Sequence, residues 1–329
     1  MAIKLEEMKV GMSDKVGVKV IDTFLRESEI LQMLPFDNCV SGSGGSTLTY
    51  SYVQKKLPAA AAFRALNTEY EEHAATVEKK SADLKVFGGT FGMDRVLKQA
   101  EGKYNNMSFQ IQEQIQAAVS LFHYTLINGD ATTHNEEFDG LDKMLAGTTT
   151  EYNSDAVLDI STAAKLKENA DQFYEMLTTL IRETSADALL LNTKSLTKIQ
   201  TLARILGYKT ESEEAFGRTV VSMDGVRLMD LKNHYTVSGS SATAVSCVKD
   251  GITREVSGSQ TGLTDIYAVR FDVNDGFHGA SLTGSSVINQ YIPDFKQPGA
   301  VKKAEVEMVA ATILKNTRKA GVIRNLKLV

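Results

Sequence analysis

The chain has 329 residues, 43% of them hydrophobic, which is enough to bury a sizeable core and to form more than one domain. Its formal net charge of −5 argues against a tight, sequence-reading DNA binder, and no run approaches the roughly 18 apolar residues of a membrane helix. The start, MAIKLEEMKVGM, puts acids where a signal peptide needs an unbroken apolar stretch, and Cys39 and Cys247 lie too far apart for a CxxC pair or a disulfide framework, so a reducing compartment fits.

Taken in chain order, residues 20–36 (VIDTFLRESEILQMLPF) predict a helix on Val20, Phe24, Ile30, Leu31 and Leu34, ended by Pro35. SGSGGS at 41–46 has the composition of a hinge. STLTYSYV then alternates, with Leu48, Tyr50 and Tyr52 on one side and Thr47, Thr49, Ser51 and Val53 on the other, which is the strand period. Residues 55–85 are polar, charged and short of large aliphatics. Such a segment cannot cover itself, so it reads as an arm or flap sheltered by a neighbouring copy. At 86–97, VFGGTFGMDRVL, the glycines Gly88, Gly89 and Gly92 predict a bend into a helical segment.

The strongest helix follows at 108–128, with Ile111, Ile115, Val119, Phe122 and Leu126 in one stripe and a length of roughly 30 Å. Gly129 stands where a C-cap glycine belongs. A second helix is expected from Thr162 to about Arg182, N-capped by Ser161, with Leu166, Ala170, Phe173, Leu177, Leu180 and Ile181 inward. ADALLLN reads as a short buried strand, and TKSLTKIQTLARILG as a helix stopped by Gly207. Beyond it the chain turns to strands. MDG at 223–225 and NDG at 274–276 are hairpin signals, VSGSSATAVS and SGSQTG read as loops, and DIYAVRFDV and SVINQYIP read as strands. The end alternates at Val306, Met308, Ala310 and Thr312, with a turn at Gly321. From Lys302 onward seven basic residues face only Glu305 and Glu307, which reads as a solvated or subunit-facing stretch.

No catalytic constellation accompanies these elements. INGDATTHNEEFDGL, 127–141, packs Asp130, Glu136, Glu137 and Asp139 into ten residues, yet counting from Asp130 puts Asn135 and Leu141 where an EF-hand needs Gly and Glu. Acids crowded on one loop suit turn chemistry better than paired hydrolytic carboxylates. SGSGGST lacks a P-loop lysine, the five histidines form no HExxH, and GSQTG puts Gln260 at the nucleophile position of a GxSxG elbow. The residues therefore imply no enzyme, no cofactor and no metal.

The ordered series is nonetheless distinctive. It comprises an arm ending LPF, TLTYSYV, a charged flap, GGTFGMD, a long helix ending LINGD, EFDGL, ADALLLN and ARILG, FGRTVVSMDGVRLMDL, TDIYAVRFD, and KQPGAVKKAEVEM. From about residue 20 to the terminus it resembles the major capsid proteins of tailed bacteriophages, which have the Hong Kong 97-type fold. The resemblance implies an α+β chain with an N-terminal arm (1–44), an extended β-hairpin loop (45–92), a peripheral domain with a long spine helix (93–160 and 299–329) and an axial domain (161–298). It implies hexamers and pentamers of this chain closing into an icosahedral shell around double-stranded DNA bound without sequence recognition. The implied setting is a virion assembled in the host bacterial cytoplasm, without membrane, with portal protein as a partner. Only about 40 residues precede the first strand, so either scaffolding is a separate protein or the chain is a processed product, and the initiating Met1 favours the first. A nanocompartment shell of the same fold, as in the encapsulins, is the alternative. On this map Gly129, Asp130, Glu136, Phe138, Asp139, Gly140 and Leu141 form a structural corner with possible subunit contacts, and Lys55, Lys56 and Arg64 lie on the extended loop.

Overall fold

The computed structural model describes residues 29–39, 47–99, 106–207, 211–215, 218–239, 241–282 and 287–329. Most of the expected arm and all of the expected hinge at 41–46 lie outside these residues. Of the arm, the short helix Glu29–Met33 and the strand Phe36–Asn38 are described, with Pro35 between them.

Two sheets carry the fold. The first is organised on the long strand Val301–Leu314, which holds Phe277–Ser281 and Ile288–Tyr291 along one edge and Lys85–Asp94 along the other. Phe36–Asn38 adds in parallel to Phe277–Ser281. The second sheet has nine strands, with Ala320–Lys327, Ser259–Val269, Ala188–Leu191 and Val226–Asp230 at its centre. One continuous segment, 301–327, thus runs through both sheets. Its reversal is a 3-10 turn at Thr317–Lys319 that Asn316 caps by accepting from the Arg318 N–H. The turn expected at Gly321 is absent. Gly321 lies inside the strand, where a Cβ would meet Leu180 at 2.6 Å.

Strand parity divides the core. Ala188 and Leu190 face the cluster built around the long helix, whereas Leu189 and Leu191 face a second cluster on the other side of the sheet. Tyr267 and Val269 against Ile266 and Ala268 repeat the split. Side chains alternate across a pleated strand, so a strand with cover on both faces must be apolar throughout, as ALLL is. The second cluster is closed by three helices, Ala163–Glu168, Ala170–Thr184 and Thr193–Leu206. The single helix expected from Thr162 is two, broken at Asn169, and its N-cap is Thr162 rather than Ser161. The Ser161 hydroxyl donates to Asp159 instead. The last of the three helices ends at Gly207 in the left-handed region, as its sequence predicts.

The long helix, Asn106–Asn128, packs over the first sheet. Ile111, Ile115, Phe122 and Leu126 are buried, while Val119 is only half-buried and Ala118 takes the inward position beside it. Phe122 is the hub, with ring centroids of Phe87, Phe138 and Phe36 at 6.2, 5.8 and 6.3 Å. The glycines expected to bend the chain at 88, 89 and 92 lie instead within the straight strand Lys85–Asp94. A Cβ on Gly88 would meet the Val306 carbonyl at 1.9 Å, and one on Gly89 the Gln114 amide at 2.0 Å. They are glycines because strand, sheet and helix approach closely there.

Two smaller units stand apart from the sheets. Asn233–Ser238 pairs with Ser241–Ser246 as a hairpin beside the long helix, where the sequence reads as loop. Asp224 and Gly225, both at positive φ, make the expected hairpin turn at 223–225. NDG at 274–276 makes no hairpin within a sheet; it turns the chain from the nine-stranded sheet into the first. The other unit is the hairpin Thr49–Leu57 with Thr76–Asp83.

Candidate assembly surface

The hairpin at 49–83 is two-stranded and pairs with no third strand among the described residues. Nine residues of extended chain carry its far end roughly 30 Å from its root. Every residue from 58 to 77 is exposed. Phe63 is 106% exposed and Leu66 90%, so these large apolar groups have no cover among the described residues. Val53, Leu57, Tyr70 and Val77 are exposed as well. Lys55 and Lys56 are exposed on the outer part of the first strand. Arg64 spends its guanidinium locally, donating to the Ala65 and Thr68 carbonyls and lying 5.2 Å from the Tyr70 ring centre.

Among the described residues only the root is anchored. Tyr50 donates to Asp37 (2.6 Å), Tyr52 to the Leu314 carbonyl (3.2 Å) and Gln54 to the Lys315 carbonyl (2.9 Å). Burial of Tyr50 and its bond to Asp37 push the phenol well above its ordinary value. The expected loop of 45–92 therefore overlaps the sheet: residues 85–92 are paired along their length with 303–310, and the free-standing part ends at Asp83.

Beside the root lies the 127–141 corner. Gly129 is not left-handed, so it is no C-cap of the expected kind. A Cβ there would meet the Phe138 carbonyl at 2.2 Å, and one on Gly140 the Ile127 carbonyl at 2.5 Å. The helix end and the returning chain touch backbone to backbone, sealed by the Gly140 N–H donating to the Gly129 carbonyl at 2.8 Å. Phe138 and Leu141 are buried and pin the return.

The acids turn inward on the loop's own donors. Asp130 accepts from the Thr132 N–H, the Thr133 hydroxyl and Lys143 Nζ; Asp139 accepts from the Ala131 N–H and the same Lys143. The Lys143 bond first, then the two threonine donors, hold the Asp130 carboxyl well below the usual carboxylate range. Glu136 is exposed. Among the described residues no group of three or more His, Cys, Asp or Glu is placed to hold a metal. A cleft of about 450 Å³, lined in part by Tyr52, Gln54, Lys80, Asn135, Phe138 and Ile313, separates the corner from the hairpin root.

Sequence reasoning missed two groups here. Lys143 was legible as the i+4 partner of Asp139. The other had no local signal: Arg324, 6% exposed, pairs with Glu151, Asp142 and Asp265, while Arg254 grips Asp265 through both carboxylate oxygens at 2.6 Å. One of the seven C-terminal basic residues is thus consumed inside the molecule, contrary to the solvated reading of that stretch.

By sequence the chain matches no family model and no curated protein. By structure it is similar to the SrpI encapsulin of Synechococcus elongatus PCC 7942, with 12% identity over 91% of this chain and 88% of that one and a TM-score of 0.58. It is similar to the capsid of a native GTA particle (9% identity, 90% and 89% covered, TM-score 0.55) and to a structure of Mycobacterium phage Bobi (12%, 90% and 90%, 0.55). Among the described residues no helix is long and apolar enough to cross a membrane. The long helix over one sheet, the mixed second sheet and the projecting hairpin are together the Hong Kong 97-type fold, and this chain has it.

Proposed function

We propose that this chain is the major capsid protein of a tailed double-stranded DNA bacteriophage, closing as hexamers and pentamers into an icosahedral shell. The observation that carries the reading is the hairpin at 49–83. Contiguous apolar surface on a projecting element marks an interaction site, and Phe63 and Leu66 are uncovered at its far end. The far end cannot fold back onto its own root, so a sister copy is the natural cover. A head-to-tail contact of that kind closes into rings, and several weak contacts per copy add as avidity. The mild acidity suits a container: a wall of lysine and arginine would hold phosphates too tightly to release them.

On this reading residues 1–44 form the arm, the loop ends at Asp83, and 85–92 join the peripheral part. Portal protein, a separate scaffolding protein and packaged DNA are its partners, and the virion is its place. Lys55, Lys56 and Glu136 are exposed and meet charges on neighbouring copies. The chain acts as a building block of the shell rather than as an enzyme. The structural likeness to an encapsulin supports a nanocompartment shell as the second reading. Negative-stain microscopy of the purified protein tests both: closed particles of uniform diameter are expected, and a stable monomer overturns the shell. Nuclease-protected DNA in particles from infected cells supports the capsid; a co-purifying cargo protein in its place supports the nanocompartment.

A further inference from the structure

The root of the hairpin covers a histidine, His278. His278 lies in the strand Phe277–Ser281 and is fully buried, with the Gly276 backbone a polar group directed at its ring. Its neighbour Gly279 presses on the Phe36 ring, so His278 faces the opposite side, toward the hairpin. The Tyr50 ring caps it edge-on at 5.7 Å. Tyr50 is also one of the three side chains that fasten the hairpin, through its bond to Asp37.

The groups that act on the imidazole come from the segments around it. Lys315, whose ammonium lies 5.3 Å from the Tyr50 ring centre, opposes a second positive charge. Asp37 from the neighbouring strand, Asp272 and the Gly276 carbonyl from the preceding turn favour one. Burial is the largest influence and Lys315 the next, and together they hold the imidazole below its ordinary value.

We infer that His278 is an acid-sensitive latch for the hairpin: uncharged, it lets Tyr50 close over it, and a proton on its ring drives the root open to water. The sign follows from linkage. The closed root binds the proton less well than an open one, whose imidazole titrates near about 6.5. Closure is therefore complete above that pH and is lost as the pH falls below it, the open population rising by up to about tenfold per pH unit. This adds regulation to the assembly surface, but it is read within one chain, so failure of shells to form leaves it standing.

The test is a distance measurement between spin labels on Lys56→Cys in the hairpin and Lys167→Cys in the body. Cys39→Ser removes the half-exposed thiol, buried Cys247 stays, and labelled chains are diluted into unlabelled protein. A single narrow distance is expected at pH 7.5, with a second population growing between pH 6.5 and 5. His278→Phe and His278→Leu should hold the pH 7.5 distribution throughout. An unchanged wild-type distribution at pH 5, or the same opening in both variants, overturns the latch. Should neither variant fold, NMR titration of the wild-type His278 ring decides: protonation in step with the second distance supports it, and protonation without that distance overturns it.

Discussion

The hairpin at 49–83 and the corner at 127–141 lie on opposite sides of one cleft and solve opposite problems. In the corner, every large apolar group is buried, and three of its four acids have donors within the loop or from Lys143. In the hairpin, apolar groups as large as Phe63 and Leu66 are almost wholly exposed, and the anchoring bonds are confined to the root. The corner is complete within one chain and the hairpin is not. Stability of the single chain should therefore depend on the corner and the sheets beneath it, and association on the hairpin.

The heaviest blow to the self-sufficient side is Arg324→Met. It leaves buried Asp265 to Arg254 and the Asn325 N–H and takes the guanidinium away from Glu151 and Asp142, and removing one member of a buried ion network costs about 3–5 kcal/mol. Denaturant unfolding of the single chain measures it. Gly140→Ala comes next, because its Cβ would drive into the Ile127 carbonyl and the Gly129 N–H. A loss of about 3 kcal/mol is expected by the same measurement, and an unchanged midpoint would mean the corner is not closed as described.

A smaller effect is read by pH. Burial raises the Asp142 carboxyl, but the charge and hydrogen bond of Arg324 outweigh it and leave the group below its ordinary value. A depressed carboxyl contributes stability above its unfolded pKa, about 3.9, and loses it as the pH falls through the folded value. Asp142→Asn should flatten that acid limb of the unfolding curve and leave the limb above pH 5 unaltered in slope. Smallest on the single chain is Phe63→Ser with Leu66→Ser, where both side chains are almost wholly exposed. The unfolding midpoint should stay in place while particles fail to form.

What the sequence made legible follows the same divide between local and distant causes. The stripe from Ile111 to Leu126, the left-handed Gly207 and the Asp224–Gly225 turn are set by neighbours within a few positions, and their signals were readable. Gly88, Gly89 and Gly321 read as bends because a glycine needed for close approach has the same letter as one needed for a turn. The hairpin at 233–246 read as loop because it is rich in serine and small residues and mostly exposed on both faces, so no strand alternation survives. Arg324 was unreadable since its partners lie 59 to 182 residues away. In the corner, Asp130 and Asp139 announced turn chemistry, but the reason for Gly129 and Gly140 emerges only when helix end and returning chain are seen together.

The most direct measurement is sedimentation of two proteins over a wide concentration range: the intact chain, and one in which residues 58–75 are replaced by a two-residue Asn-Gly turn. The account predicts large closed particles from the first and a folded, single-copy species with the same unfolding midpoint from the second. Particles of the same size from the shortened chain would show that the hairpin's far end is not what sister copies hold, and would contradict it.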